Sequence, residues 1–208
     1  MVASERGEMA TDPAVETERD EYLLAQVREA FGRVVYSHKT HEKQADLCFR
    51  KHRSQQAALV VFTAASAGTF LAALLGNFVS PQIASLVTSF IALIVTALTL
   101  ATQSFKFGEE SEAHRDIASR LWDVRESYLS LIADLMSGAT SASDARERRA
   151  KLQEATRAAY TDAPRTTSKA YGKAQDGLKN NEELTFTSRE IDLFLPEALR
   201  LNERDAAA

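Results

Sequence analysis

The chain is poor in the residues that carry disulfide, metal and redox chemistry. It has one cysteine, Cys48. A lone thiol excludes an internal disulfide, a cysteine-based zinc site and a CxxC redox pair. Cys48 is expected to serve as a small packing residue. Only four prolines are present, Pro13, Pro81, Pro164 and Pro196. Proline breaks helix interiors, so residues 14–80 and 82–163 are free to run as long helices. No Gly-rich phosphate loop occurs, and the three-residue spacing of His38 and His41 is not the i, i+4 pair of a zincin helix. No catalytic residue, metal site or cofactor is expected, and the chain is not expected to be an enzyme. The formal net charge is −4 with a pI near 5.7, which argues against nucleic acid as a partner. Residues 1–20 lack the apolar run of a secretory signal and are expected to be a disordered N-terminal segment.

The largest absence is local. Residues 54–105 contain no Asp, Glu, Lys or Arg over 52 positions. The 54 charges therefore crowd into the other 156 residues, about 35% of them, against a globular norm of about 25%. An uncharged block of this length exceeds any core helix of a soluble domain. It divides at Gly76-Asn77-Phe78-Val79-Ser80-Pro81, where Gly76 or Asn77 suits a helix C-cap, Ser80 an N-cap and Pro81 the first helical position. Two spans result, about 55–76 and 81–105, each near or above the roughly 20 residues that cross a bilayer core. Arg50, Lys51 and Arg53 abut the first span and Lys106 the second, while the turn carries no charge. The positive-inside rule then places both termini in the cytoplasm.

Seven-residue spacing continues outside the block. Leu24, Phe31, His38, Ala45 and His52 form one series, and Val27, Val34, His41 and Cys48 a second. Downstream, Phe107, His114, Leu121, Tyr128 and Leu135 pair with Ile117, Val124 and Leu131. Such spacing predicts coiled-coil-like packing. Two legs leaving the membrane side by side are natural antiparallel partners, and the same face could join separate chains. Beyond Met136, Gly138-Ala139-Thr140-Ser141 is a break, and Ser141 with Asp144 suggests a capping box for a helix to about Tyr160. Residues 161–183 read as a polar loop holding a short helix near 168–178. Thr187 as N-cap, Glu190 three residues on and a Phe186–Ile191 staple predict a last helix over 188–203, kinked or restarted at Pro196. The expected fold is an all-α membrane protein: a two-transmembrane helical hairpin over 21–137 with long coiled-coil-like cytoplasmic helices, then a cytoplasmic helical tail over 138–208.

The junction Tyr36-Ser-His38-Lys39-Thr-His41-Glu-Lys43-Gln-Ala45, then Arg50-Lys51 and an Ala/Gly-rich span, precedes a second span. That span leads into His114-Arg115-x-x-Ala118, Trp122 and Arg125-Glu126-x-Tyr128. Over residues 20–137 this pattern resembles the SLATT superfamily, the SMODS and SLOG-associating two-transmembrane effector domains. The resemblance implies a prokaryotic conflict-system effector that perforates the inner membrane and aborts infection, in systems such as CBASS. It also implies a cyclic-nucleotide messenger or a nucleotidyltransferase-linked partner.

Four residue sets are candidates for function. Ala64, Gly68, Ala72 and Gly76 recur every four residues, a ladder that lets helices approach closely in lipid. Ser85, Ser89, Ala92, Thr96, Thr99 and Gln103 form a stripe of small and hydroxylated side chains about 27 Å long, nearly the hydrocarbon thickness. Opposite stand Ile83, Leu86, Val87, Phe90, Ile91, Ile94 and Leu98, expected to meet lipid. The stripe either lines a pore or merely packs, with its hydroxyls bonded to the preceding turn. Two spans cannot enclose water, so a pore requires a homo-oligomer. The third set is the histidines, His38, His41, His52 and His114, all on the seams. They read as a polar layer setting register, and the same imidazoles suit a pH switch or an inter-subunit metal site. The fourth, Lys39, Lys43, Arg50, Lys51 and Arg53, offers charge to membrane lipid headgroups or to a nucleotide messenger. The function these sets support is an oligomeric pore-forming effector. The alternative is a non-conducting membrane-anchored coiled-coil scaffold or signalling adaptor.

Overall fold

The described residues of the computed structural model, which are 13–66, 80–197 and 200, with side chains from Glu21 onward, form six helices and no strand. They are α1 (Pro13–Ser66), α2 (Pro81–Ser104), α3 (Phe107–Ser137), α4 (Ala142–Thr161), α5 (Ser168–Lys179) and α6 (Ser188–Phe194). At 54 residues α1 is about 81 Å long, unbroken because no proline interrupts it. It begins at Pro13, inside the segment expected to be disordered. α2 starts as expected, with Ser80 extended (φ −62°, ψ 151°) and Pro81 at the first position, although the Ser80 side chain makes no capping bond.

The second leg is not one continuous helix from Pro81 to Ser137. The backbone leaves helical geometry at Phe105 (φ −102°, ψ 92°) and Lys106 (φ −80°, ψ 53°) before α3 begins. At this break the Phe105 and Phe107 rings stack at 5.7 Å and 8°, and Lys51 Nζ lies 4.9 Å from the Phe107 ring centre. Glu109 and Glu110 occupy the first turn of α3, where the helix dipole favours negative charge.

α1 and α3 pack antiparallel, as expected of the two legs. Ser111 Oγ donates to the Ala45 carbonyl at 2.9 Å, His41 meets His114 and His38 meets Trp122, so residue numbers rise on one helix as they fall on the other. Leu23, Val27, Ala30 and Val34 of α1 join Ile117, Leu121, Val124, Tyr128 and Leu131 of α3 in the core. Leu24, Phe31 and Leu135, expected on the seam, are only half-buried. An undistorted helix drifts about 20° per heptad, and α4 adds a second neighbour through Ala145 and Ala159. The buried stripe therefore rotates toward Leu23 and Ala30.

Gly138, at φ +70°, closes α3 in the left-handed conformation that favours glycine. At α4, Ser141 Oγ accepts from the Asp144 amide at 3.2 Å and donates to the Asp144 carboxylate, so the cap is present but the reciprocal bond goes to the hydroxyl, not the backbone. The full capping box is at Thr187 and Glu190. α6 ends at Phe194, short of the expected 203, because proline at 196 holds Leu195 extended (φ −89°, ψ 146°). Phe186 and Ile191 remain exposed, so no staple buries them. The tail is not a separate appendage: α4 returns along α3 and α1, and α5 crosses α1. Arg148 pairs with Asp134 at 2.6 Å, and Arg149 hydrogen-bonds to Gln26.

Candidate functional site

The apolar stretch that begins at Pro81 is, among the described residues, the one long and apolar enough to cross a membrane. The expected first span is described only to Ser66. α2 is 24 residues, about 36 Å, against a hydrocarbon core of about 30 Å. It has no buried residue, and Leu86, Phe90, Leu93 and Leu100 are all exposed. An unburied apolar helix of this length suits lipid, since water would penalise each exposed Leu or Phe by about 1.5–3 kcal/mol.

α2 has three faces rather than the expected two. Val87, Ile91, Ile94, Val95 and Leu98 are half-buried on the side where α2 packs along α1. Val87, Ile91, Ile94 and Leu98 were expected to meet lipid; instead they form the packing face, because bulky branched side chains fill the groove between two helices. Ile83, Leu86 and Phe90 keep the exposure expected of a lipid face, together with Leu93 and Leu100. Ser85, Ser89, Ala92, Thr96 and Gln103 form the third face, also exposed, with Thr99 half-buried at its edge. Thr96 Oγ1 donates to the Ala92 carbonyl at 3.0 Å and Thr99 Oγ1 to the Val95 carbonyl at 2.8 Å. Both hydroxyls are thus satisfied on their own helix. In the ladder, Ala64 is exposed, while Gly68, Ala72 and Gly76 lie outside the described residues.

The histidines divide. His41 Nδ1 and His114 Nδ1 are 2.9 Å apart, one ring donating to the other, so at least one imidazole must be neutral. Burial lowers the pKa of all three core histidines, and His41, also beside His114 and His38, falls to about 4. His114 Nε2 and His38 Nδ1 have no hydrogen-bond partner, and His38 packs on Trp122 at 5.4 Å. His52 is apart from this layer, half-buried beside Gly108, where any added Cβ would meet its ring at 3.2 Å. Among the described residues no group of three His, Cys, Asp or Glu is placed to hold a metal. Buried Cys48 accepts from Gln44 Nε2 at 3.4 Å.

The basic cluster also splits. Lys39 is buried and binds Glu183 at 2.6 Å and Glu42 at 2.8 Å; Lys43 binds the same Glu183 carboxylate at 2.8 Å. Burial opposes the charge on Lys39, but its bonds to Glu183 and Glu42 outweigh it and raise its pKa, while Lys39 and Lys43 lower that of Glu183. Both lysines therefore hold the tail rather than standing free for a headgroup or messenger. The clasp is tight: a Cβ on Gly177 would come within 2.9 Å of the Glu183 carboxyl carbon. Glu182 (φ 51°) and Leu184 (φ 76°) adopt left-handed backbone on either side, at about 1–2 kcal/mol each. Gln44 Oε1 adds bonds from the Thr167 amide and hydroxyl. Arg50, Lys51 and Arg53 stay exposed, and Arg53 and Arg115 both lie against the Phe49 ring. Such cation–aromatic pairing suits a headgroup boundary.

Glu183, Gln44 and Trp122 were not singled out as site residues from the sequence. Their partners are as much as 140 positions away, and no periodicity marks such a contact. A cavity lined by α1, α4 and α5, with Tyr128 of α3, was also missed.

Described residues that are helical throughout, with an unburied bilayer-length helix beside a packed helix pair, define the class of membrane-directed helical proteins. The chain is a member of the SMODS and SLOG-associating 2TM effector domain family 4, whose model matches residues 23–190. The family is associated with conflict systems. The match runs past Ser137 through α4 and α5 into α6, consistent with a tail that packs on the legs. No curated protein and no solved structure matches the chain.

Proposed function

We propose that the chain is a two-span membrane effector that assembles into a homo-oligomeric pore in the inner membrane of a prokaryotic cell, with both termini cytoplasmic. In this reading it acts in anti-phage defence of the CBASS type and carries no catalytic residue. The observation that carries it is the third face of α2. Ser85, Ser89, Ala92, Thr96 and Gln103 are exposed and not used to pack on α1, and they gather small, hydroxylated and amide side chains on one side of a helix whose other exposed side carries Leu and Phe. A second copy or a column of water is the natural neighbour for such a face. The cytoplasmic seams support the pore over the scaffold, since α1 and α3 already occupy each other's seam within one chain.

Liposome dye leakage with matched expression tests the reading. Ser89→Leu or Thr96→Leu should dry the lumen and abolish leakage, because hydrophobic constrictions gate by dewetting. Leu86→Ala or Leu93→Ala, on the lipid face, should leave it intact. Equal tolerance on both faces would favour the scaffold, and a wild type that never leaks would end the pore reading. Reporter fusions at residue 208 and near Asn77 test the orientation, and a periplasmic C-terminus would overturn it.

A further inference from the structure

The α1–α3 seam is largely apolar, whereas α5 is fastened to α1 by polar groups. The residues that α5 buries are Ala170, Ala174 and Gly177, among the smallest side chains there are. Little apolar area leaves water on such a face, so burial alone holds α5 weakly. The fastening comes from its two ends. Before α5, the Thr167 amide and hydroxyl donate to Gln44 Oε1 at 3.2 and 2.7 Å. After it, the Glu183 carboxylate meets Lys39 at 2.6 Å and Lys43 at 2.8 Å. Between these ends Tyr171 stacks on Tyr36 at 6.0 Å.

The turn that delivers Glu183 is strained. Glu182 and Leu184, neither of them glycine, take left-handed backbone at φ 51° and 76°. The Glu183 amide donates to the Gly177 carbonyl at 2.9 Å, and the missing side chain at 177 leaves room for the Glu183 carboxyl group. Opening this turn relaxes two residues and gives up few apolar contacts, so the ion pairs to buried Lys39 and to Lys43 are what hold it shut. A segment of that kind opens locally well before the core does. Its place on α1 adds to this: Lys43 lies 11 residues before Ser54, where the charge-free block begins, about 16 Å along the helix.

We propose that α5 and the turn after it form an autoinhibitory strap on α1, with Glu183 as its latch. Closed, the strap braces α1 just short of the charge-free block and holds the resting state. Released, it bares Tyr36, Lys39, Lys43 and Gln44 and leaves α1 free to rearrange with a second copy. The inference rests on the effector reading and adds to it the contact that keeps such an effector shut.

Three variants of the full chain, in detergent and in liposomes, test it: Glu183→Lys, Gly177→Leu, and Glu182→Gln as the control. Glu183→Lys repels both lysines. Gly177→Leu keeps every charge and is a better helix former, but its side chain takes the space of the Glu183 carboxyl group. In both, amide hydrogen exchange in α5 should rise about tenfold or more while the Leu121 seam stays protected. Light scattering should show larger assemblies, and dye leakage without any trigger should exceed that of the wild type. Glu182→Gln should match the wild type in all three measurements. Unchanged exchange in α5 would remove the latch, and exchange that rises equally at the seam would make α5 part of the core. An open α5 with neither larger assemblies nor added leakage would end the inhibitory role. Larger assemblies that never leak would sink the pore alone and leave the strap standing.

Discussion

The α1–α3 pair and α2 solve the same problem in opposite ways. Both are helices with apolar residues at helical spacing, yet α3 buries nine residues and α2 none. Water drives the first to hide its seam, whereas lipid tails are as apolar as leucine and give the second no reason to do so. Their polar groups differ in the same sense. Ser111 reaches across to the Ala45 carbonyl, while Thr88, Thr96 and Thr99 each bond back to their own helix. Burial against a neighbour sets the geometry of one region, and self-sufficiency sets that of the other.

The contrast is broken most sharply at Leu121, which is 0% exposed on the α1–α3 seam. Leu121→Ala should cost about 2–5 kcal/mol, the sum of lost burial and a residual cavity. Leu93→Ala on α2 should leave the melting temperature in nanodiscs unchanged, and a comparable loss at both sites would erase the distinction.

Acid should separate the regions next. The core histidines have folded-state pKa values below the unfolded value near 6.5, with His41 at about 4. The unfolded chain therefore takes up protons first as pH falls. Stability is full above about pH 6.5 and declines toward pH 4, by up to about 1.4 kcal/mol per pH unit for His41. Thermal melts between pH 7.5 and 4.5 should show this slope, and His41→Gln should flatten it. α2 has no ionisable side chain, so its helicity by circular dichroism should not change over that interval.

A smaller effect is expected at the clasp. Glu183→Gln should cost about 1–3 kcal/mol, the value of hydrogen bonds to a charged group. It should raise amide exchange in α5 while leaving the Leu121 region protected. Uniform protection would mean that the tail does not depend on Lys39 and Lys43. Smallest of all, Gly32→Ala should stabilise α1 by about 0.5–1 kcal/mol, since only helix propensity changes there. A loss on thermal melting would reveal a packing role for that glycine.

Much of this architecture was legible along the chain. Missing charge over 54–105, Pro81 at a helix start, Gly138 at a helix end and the four seven-residue series all act through neighbours within a turn or two. Backbone sterics, capping and hydropathy are local properties, and the sequence states them directly. The α5 helix near 168–178 and the Thr187–Glu190 box were readable for the same reason.

What the tertiary structure alone decided concerns partners and facing. Lys39 and Lys43 looked like free cations until Glu183, 140 positions beyond Lys43, took them. Ile91 and Ile94 looked like lipid residues until α1 covered their face. His52 shared its spacing with His38, yet lies beside Gly108 and not in the polar layer. The helix break at Phe105–Lys106 follows neither glycine nor proline and coincides with ring stacking and a lysine from another helix. Periodicity assigns a residue to a face of its own helix, but which element covers that face depends on contacts between segments far apart in the chain. Those contacts exist only after the chain has folded.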